Sequence, residues 1–204
     1  MQTQVLAVDP LAPAADVVAR AAAVMDAGGV VALPTETFYG LAVRALDAAL
    51  VRRLFALKGR PESRPILVLV DEPRRVGDFA EVNDLARALM ARHWPGPLTL
   101  VLRARDMVPA ELTAGSGTIG VRQSGYPVAR ALAAAAGGPI TAPSANLTGH
   151  APPTTVTEVL AAFDHRIEMV LDGGETPGGP PSTVLDVTVD PPRVLRDGAV
   201  KIAP

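Results

Sequence analysis

The chain has 204 residues, 49% of them apolar, with a formal net charge of −2 and no cysteine. That is ample apolar material for one sizeable core, and it excludes a disulfide framework, a thiolate metal site and a cysteine nucleophile. The mildly acidic balance, without a basic tail, argues against broad nucleic-acid binding through phosphate neutralisation.

Aromatic residues make up only 3% of the chain, so the core must be built from Ala, Val and Leu. The N-terminus lacks the basic start and apolar stretch of a secretion signal, and no apolar run approaches the roughly 20 residues of a membrane span. A soluble, cytoplasmic protein with no membrane association is expected. Residues 12–27 carry apolar side chains at helical spacing and stop at Gly28-Gly29, after which VVAL reads as a short buried strand. Asp47 caps a second predicted helix with Leu50, Leu54 and Leu57 on one face, and ILVLV follows as a strand. Next come a helix near 83–93, strands LTLVL and TIGVR, and an Ala-rich helix near 127–136 closed by Gly137-Gly138. Thr155 and Glu158 have capping-box spacing before a last helix, and EMVLD, STVLDV and RVLR finish as strands. The alternation predicts an α/β fold, and the three late strands make its sheet mixed. Strands that read as continuous apolar runs predict helical cover on both sheet faces. No linker divides the chain, so residues 1–204 read as a single domain.

Familiar motifs are few. GSGTIG (115–120) satisfies the three-glycine dinucleotide spacing, but a strand follows it where that fingerprint needs a helix, so it reads as a glycine-rich turn entering a strand. There is no Walker-type phosphate loop, no H-E-x-x-H and no G-x-S-x-G elbow; His93, His150 and His165 are too scattered for a metal site, and no metal-binding residues are assigned.

Four loop regions remain: PTETFYGLA (34–42), KGRPESRP (58–65), TIGVRQ with APSANLTG (118–123, 142–149), and PSTVLDV with RVLRDG (181–187, 193–198). Singly, each has a plain explanation. Lys58 suits the negative end of its helix, Arg60 and Arg64 are solvated, and PSAN is a turn held by its own side chains. Together they abut predicted strand ends, which converge in an open sheet. The set then supplies Lys58, Arg60, Arg122 and Arg196 as cations, with Thr118, Ser144, Asn146 and Ser182 as neutral partners, an inventory suited to a triphosphate beside a small carboxylate.

In the same order along the chain, PTETFYGLA, Lys58-x-Arg60-Pro61, APSANLTG with its Ser144-x-Asn146, STVLDV and RVLRDG resemble the YrdC-type (TsaC) threonylcarbamoyl-AMP synthase family, over roughly residues 15 to 200. The resemblance implies a single-domain α/β fold with a twisted mixed β-sheet flanked by helices and a concave cationic cavity (YrdC/RibB-like). It implies formation of threonylcarbamoyl-AMP and pyrophosphate from L-threonine, bicarbonate or CO2 and ATP with Mg2+, a nucleotidyltransferase reaction. The product feeds t6A37 modification of tRNA by a separate threonylcarbamoyl transferase complex. Carried over residue by residue, Lys58 and Arg60 resemble the catalytic, phosphate-contacting pair, and Thr118, Ser144, Asn146 and Arg196 further ATP contacts. Thr37, Tyr39, Arg122 and Ser182 resemble the threonine contacts. The pattern departs at Arg64, Leu69 and Pro152, where relatives carry a small polar residue, a histidine and a serine.

No general base stands out: Glu36 is the only carboxylate in the first motif and reads as structural. Carbamate formation and displacement of pyrophosphate both spread negative charge over oxygens, which fixed cationic donors stabilise. Magnesium is expected to be held by the phosphates. The Gly/Pro-rich stretch 173–181 is a candidate lid. The alternative readings are a YciO-like paralogue with weak or different activity, and a module binding double-stranded RNA, which the low aromatic content and acidic balance disfavour.

Overall fold

The computed structural model describes residues 2–61 and 63–202. Its first half runs β1 (Gln4–Ala7), α1 (Ala15–Asp26), β2 (Val31–Leu33), β3 (Gly40–Ala42), α2 (Ala48–Lys58) and β4 (Val68–Leu69). After a 3₁₀ turn come α3 (Val76–Phe79), α4 (Asp84–His93), β5 (Leu98–Arg103), α5 (Ala110–Thr113) and β6 (Thr118–Arg122). The chain continues with α6 (Pro127–Ala135), β7 (Ile140–Thr141), α7 (Val156–Phe163), β8 (Met169–Asp172), β9 (Thr183–Asp186) and β10 (Arg193–Arg196).

Local chemistry sets several boundaries. The Asp47 carboxylate accepts from the N–H groups of Ala49 and Leu50, and Gly59 closes α2 in the left-handed region. Thr155 and Glu158 form the reciprocal capping box at the start of α7. The buried stripe of α2, however, is Val51, Leu54, Phe55 and Lys58, not Leu50, Leu54 and Leu57; Leu50 and Leu57 are half-buried at its flank.

The strands form two mixed sheets, ordered β1-β8-β2-β3 and β10-β9-β5-β6-β4-β7. They join where β3 meets β7: Leu41 N–H donates to the Pro143 carbonyl at 2.9 Å and Thr141 N–H to that of Val43 at 3.0 Å. The result is an α/β fold with twisted mixed sheets flanked by helices.

One face of the sheets carries the larger core, where Leu98, Leu100 and Leu102 of β5, Ile119 and Val121 of β6 and Leu185 of β9 pack with residues of α2, α4 and α7. On the opposite face α1 and α6 cover only part of the surface: Ala21, Met25, Val128 and Leu132 pack on Val31, Leu33, Leu69, Ile140 and Leu171. None of these partners belongs to β5, β6 or β9. The expectation of helical cover on both faces therefore fails over those three strands, because their residues on this side include Thr99, Thr118, Gly120 and Arg122, too polar or too small to seat an apolar helix.

Candidate active site

The uncovered face is the floor of a cavity of about 500 Å³. Strand alternation builds it: Thr118, Gly120 and Arg122 of β6 point in while Ile119 and Val121 point to the core. Thr99 and Val101 of β5, with Ser182 just before β9 and Val184 on it, extend the floor. The rim comes from the β2–β3 segment with Thr35, Thr37 and Tyr39, from Arg60 and the 65–67 segment, from Ser144 after β7, and from Arg196 of β10. The site thus lies over a sheet face, with the loops as its walls, whereas the sequence places it at strand ends.

Eight of the ten residues singled out from the sequence line this cavity: Thr37, Tyr39, Arg60, Thr118, Arg122, Ser144, Ser182 and Arg196. Lys58 and Asn146 do not. Lys58, only 3% exposed, stands behind the wall, where its Nζ donates to the carbonyls of Ser144 and, at 2.6 Å, Asn146. Burial, with repulsion from Arg60, pulls its ammonium down to about 8. Asn146 spends its side-chain amide on the carbonyls of Leu147 and His150, at 2.9 and 2.8 Å. The pair braces the turn that presents Ser144.

Three guanidinium groups line the cavity, and no carboxylate is among its lining residues. Arg60 donates to the carbonyls of Arg64 and Pro65, at 3.2 and 2.9 Å. Arg196 donates through Nε and Nη2 to the Ser182 carbonyl, at 3.0 and 2.8 Å, and through Nη2 to Ser182 Oγ at 2.9 Å. Ser182 Oγ in turn shares a hydrogen bond with Thr99 Oγ1 at 2.9 Å. Burial lowers the proton affinity of all three guanidinium groups, with like-charge repulsion from Arg64 adding at Arg60 and from Arg122 at Arg196. Arg122 has a counter-charge: its Nη1 donates to Glu36 Oε1 at 3.1 Å.

Tyr39 is fully buried, its hydroxyl donating to the Gly174 carbonyl at 2.6 Å and accepting from Gly173 N–H at 3.2 Å. Burial pushes that phenol up to about 12. Gly178 N–H donates to the Thr37 carbonyl at 2.8 Å, so the 173–181 stretch is tied to the β2–β3 segment at Gly173–Gly174 and again at Gly178. Of the three departures, Pro152 lines the cavity, whereas Leu69 is buried under α6 and does not. Thr99 and Gly120 are floor residues that sequence reasoning passed over; the period-2 alternation through Thr118 and Arg122 is the signal that finds Gly120. Among the described residues no cluster of His, Asp or Glu is placed to hold a metal ion, and no helix is long and apolar enough to cross a membrane.

The profile of the Sua5/YciO/YrdC family, described as "Telomere recombination", matches residues 23–198. The chain belongs to this family. Similar members of the Sua5/YciO/YrdC family include a Pyrococcus abyssi protein named threonylcarbamoyl-AMP synthase, 42% identical over 183 residues covering 89% of this chain and 54% of that protein. A Thiobacillus denitrificans protein of the same name is 39% identical, covering 83% of this chain and 89% of its own length. The crystal structure of P. abyssi Sua5 complexed with L-threonine superposes with a TM-score of 0.92 at 40% identity, over 96% of this chain and 58% of that one. The chain spans about half the length of the P. abyssi protein.

Proposed function

We propose that this domain is an L-threonylcarbamoyladenylate synthase, a nucleotidyltransferase that makes threonylcarbamoyl-AMP and pyrophosphate from L-threonine, bicarbonate or CO2, and ATP. The observation that carries the reading is the charge pattern of the cavity: Arg60, Arg122 and Arg196 face one hollow with hydroxyl groups between them and no carboxylate in its lining, Arg122 alone being paired from behind by Glu36. That is a cationic hollow shaped for phosphates beside a carboxylate, in a chain 39–42% identical to two proteins named for this reaction. The names do not favour a paralogue with another activity.

In this reading Arg60, Arg196, Thr118 and Ser144 take the triphosphate. Lys58, behind the wall, acts on the phosphates through the Ser144 turn, on which it spends two donors. Thr37, Tyr39, Arg122 and Ser182 enclose threonine, whose carboxylate falls to Arg122. The neutral threonine amine attacks the carbon of CO2, its proton passing to solvent, or that of bicarbonate, with water leaving, to give a carbamate. A carbamate oxygen then attacks the α-phosphorus, and the bond to pyrophosphate breaks. Both steps gather negative charge on oxygens, where fixed guanidinium donors stabilise it more than water does. With no carboxylate in its lining, the cavity does not fit a protein-held Mg2+, and magnesium belongs to the nucleotide. The adenylate is handed to a threonylcarbamoyl transferase acting on tRNA.

The test is threonine-dependent pyrophosphate release from ATP in bicarbonate buffer, with mass spectrometric detection of the adenylate. Release that is the same with and without threonine would overturn the proposal.

A further inference from the structure

The carboxylate behind Arg122 has a role that the reaction itself does not require of it. Glu36 lies in the β2–β3 segment with its side chain 15% exposed, against 5% for Arg122. Both of its oxygens are engaged: Oε1 accepts from Arg122 Nη1 at 3.1 Å and Oε2 from Ser124 Oγ. Ser124 is fully buried and held in turn, since its Oγ accepts from Tyr126 N–H at 3.2 Å and its carbonyl from Arg130 Nη1 at 2.6 Å. The carboxylate is therefore clamped in one orientation.

What it holds is half of a guanidinium. Arg122 Nε is buried with no hydrogen-bond partner. A buried donor left unpaired is costly, and such donors in native proteins are usually met by a group that binds there. Nε and Nη2 form one edge of the planar fork, the edge that takes a carboxylate with two parallel hydrogen bonds. Glu36 engages the other end at Nη1.

Resting on the function proposed above, we infer that Glu36 is a positioning residue for the amino-acid carboxylate. It fixes Arg122 so that the Nε–Nη2 edge faces the cavity. Ser124 completes the clamp by fixing the second carboxylate oxygen.

The test compares wild type, Glu36→Gln and Glu36→Ala in the full chain. Calorimetric binding of L-threonine and of threoninol, which keeps the amine and hydroxyl but lacks the carboxylate, is read beside KM for threonine and for ATP. Glu36→Ala should weaken threonine binding about tenfold or more, as expected for removing one partner of a buried charge pair. Glu36→Gln, which keeps an acceptor for Nη1, should fall between it and wild type. Threoninol affinity and KM for ATP should stay within about twofold. Equal losses for threonine and threoninol, or threonine and ATP KM values that rise together, would overturn the inference and mark Glu36 as merely structural. If Glu36→Ala fails to fold, Glu36→Gln carries the same comparison. Wild type that binds no threonine would sink the proposed function, and this inference with it. Wild type that binds normally beside variants with unchanged threonine affinity would sink the inference alone.

Discussion

Lys58→Met asks what a buried ammonium contributes when its partners are carbonyls. The side chain is 3% exposed and its Nζ donates to the Ser144 and Asn146 carbonyls. Bringing its pKa from 10.5 to about 8 corresponds to about 3 kcal/mol of cost to the charged form at neutral pH. Two hydrogen bonds from a charged donor return roughly 3–6 kcal/mol. Methionine keeps the stem's volume, relieves the first effect and loses the second, so the expected loss at pH 7 is at most about 3 kcal/mol, or up to about 10 °C in Tm for a chain of this size. The pH dependence is sharper. The folded pKa lies below the unfolded one, so between about 8 and 10.5 the unfolded chain still holds a proton that the folded chain has released, and stability rises with pH through that window. Wild type should gain up to about 3 kcal/mol there that Lys58→Met does not. Lys201, the only other lysine, is exposed and common to both proteins. Urea unfolding followed by circular dichroism at pH 7 and at pH 10 measures the difference. Pyrophosphate release should fall by on the order of 10²-fold, since the Ser144 turn that presents a phosphate contact loses its brace. A stability gap between the two proteins that is the same at both pH values would refute the burial argument.

Tyr39→Phe should show the opposite sign at higher pH: the folded phenol titrates near 12, above its ordinary 10, so wild type loses stability from about pH 10 towards 12 while the variant does not. At pH 7 the variant should cost about 1–2 kcal/mol for its two hydrogen bonds to Gly173 and Gly174, measured by urea unfolding. Gly198→Ala puts a Cβ 2.2 Å from the Pro181 carbonyl oxygen and 2.5 Å from Thr183 N, so the backbone must part beside Ser182. It should lower Tm by several degrees and raise KM for ATP by about tenfold, because Arg196 is seated on that backbone; an unchanged KM for ATP would separate Arg196 from nucleotide binding.

What the sequence discloses depends on whether the deciding contact is local. Asp47, the Thr155–Glu158 pair and the glycine at 28 fix helix ends through neighbours a few residues away, and those ends are found where expected. β3 and β7 are hidden because each is two or three residues long: β3 pairs with the equally short β2, while β7 takes its hydrogen bonds from distant segments, from β4 and, through Thr141, from Leu41 and Val43 about 100 positions away. The ILVLV run contributes only Val68 and Leu69 as strand, Ile66 N–H being drawn to the Leu112 carbonyl. Lys58 was legible after all: it lies seven residues after Val51, on the stripe with Leu54 and Phe55 that faces the core, so helical period alone turns it away from solvent. Reading the stripe through Leu50 and Leu57 conceals this.

The location of the cavity follows from the same kind of count. LTLVL and TIGVR look like runs buried on both faces, yet taken at every second residue they separate into Leu98, Leu100, Leu102, Ile119 and Val121 on one side and Thr99, Val101, Thr118, Gly120 and Arg122 on the other. A helix laid over the second set would strand hydroxyl groups and a guanidinium without water. The α1–α6 layer accordingly packs on Leu69 and Ile140, and its apolar cluster includes no residue of β5, β6 or β9. The polar residues that turn helical cover away are the donors that the proposed reaction needs, so one substitution pattern on β5 and β6 both opens the hollow and equips it.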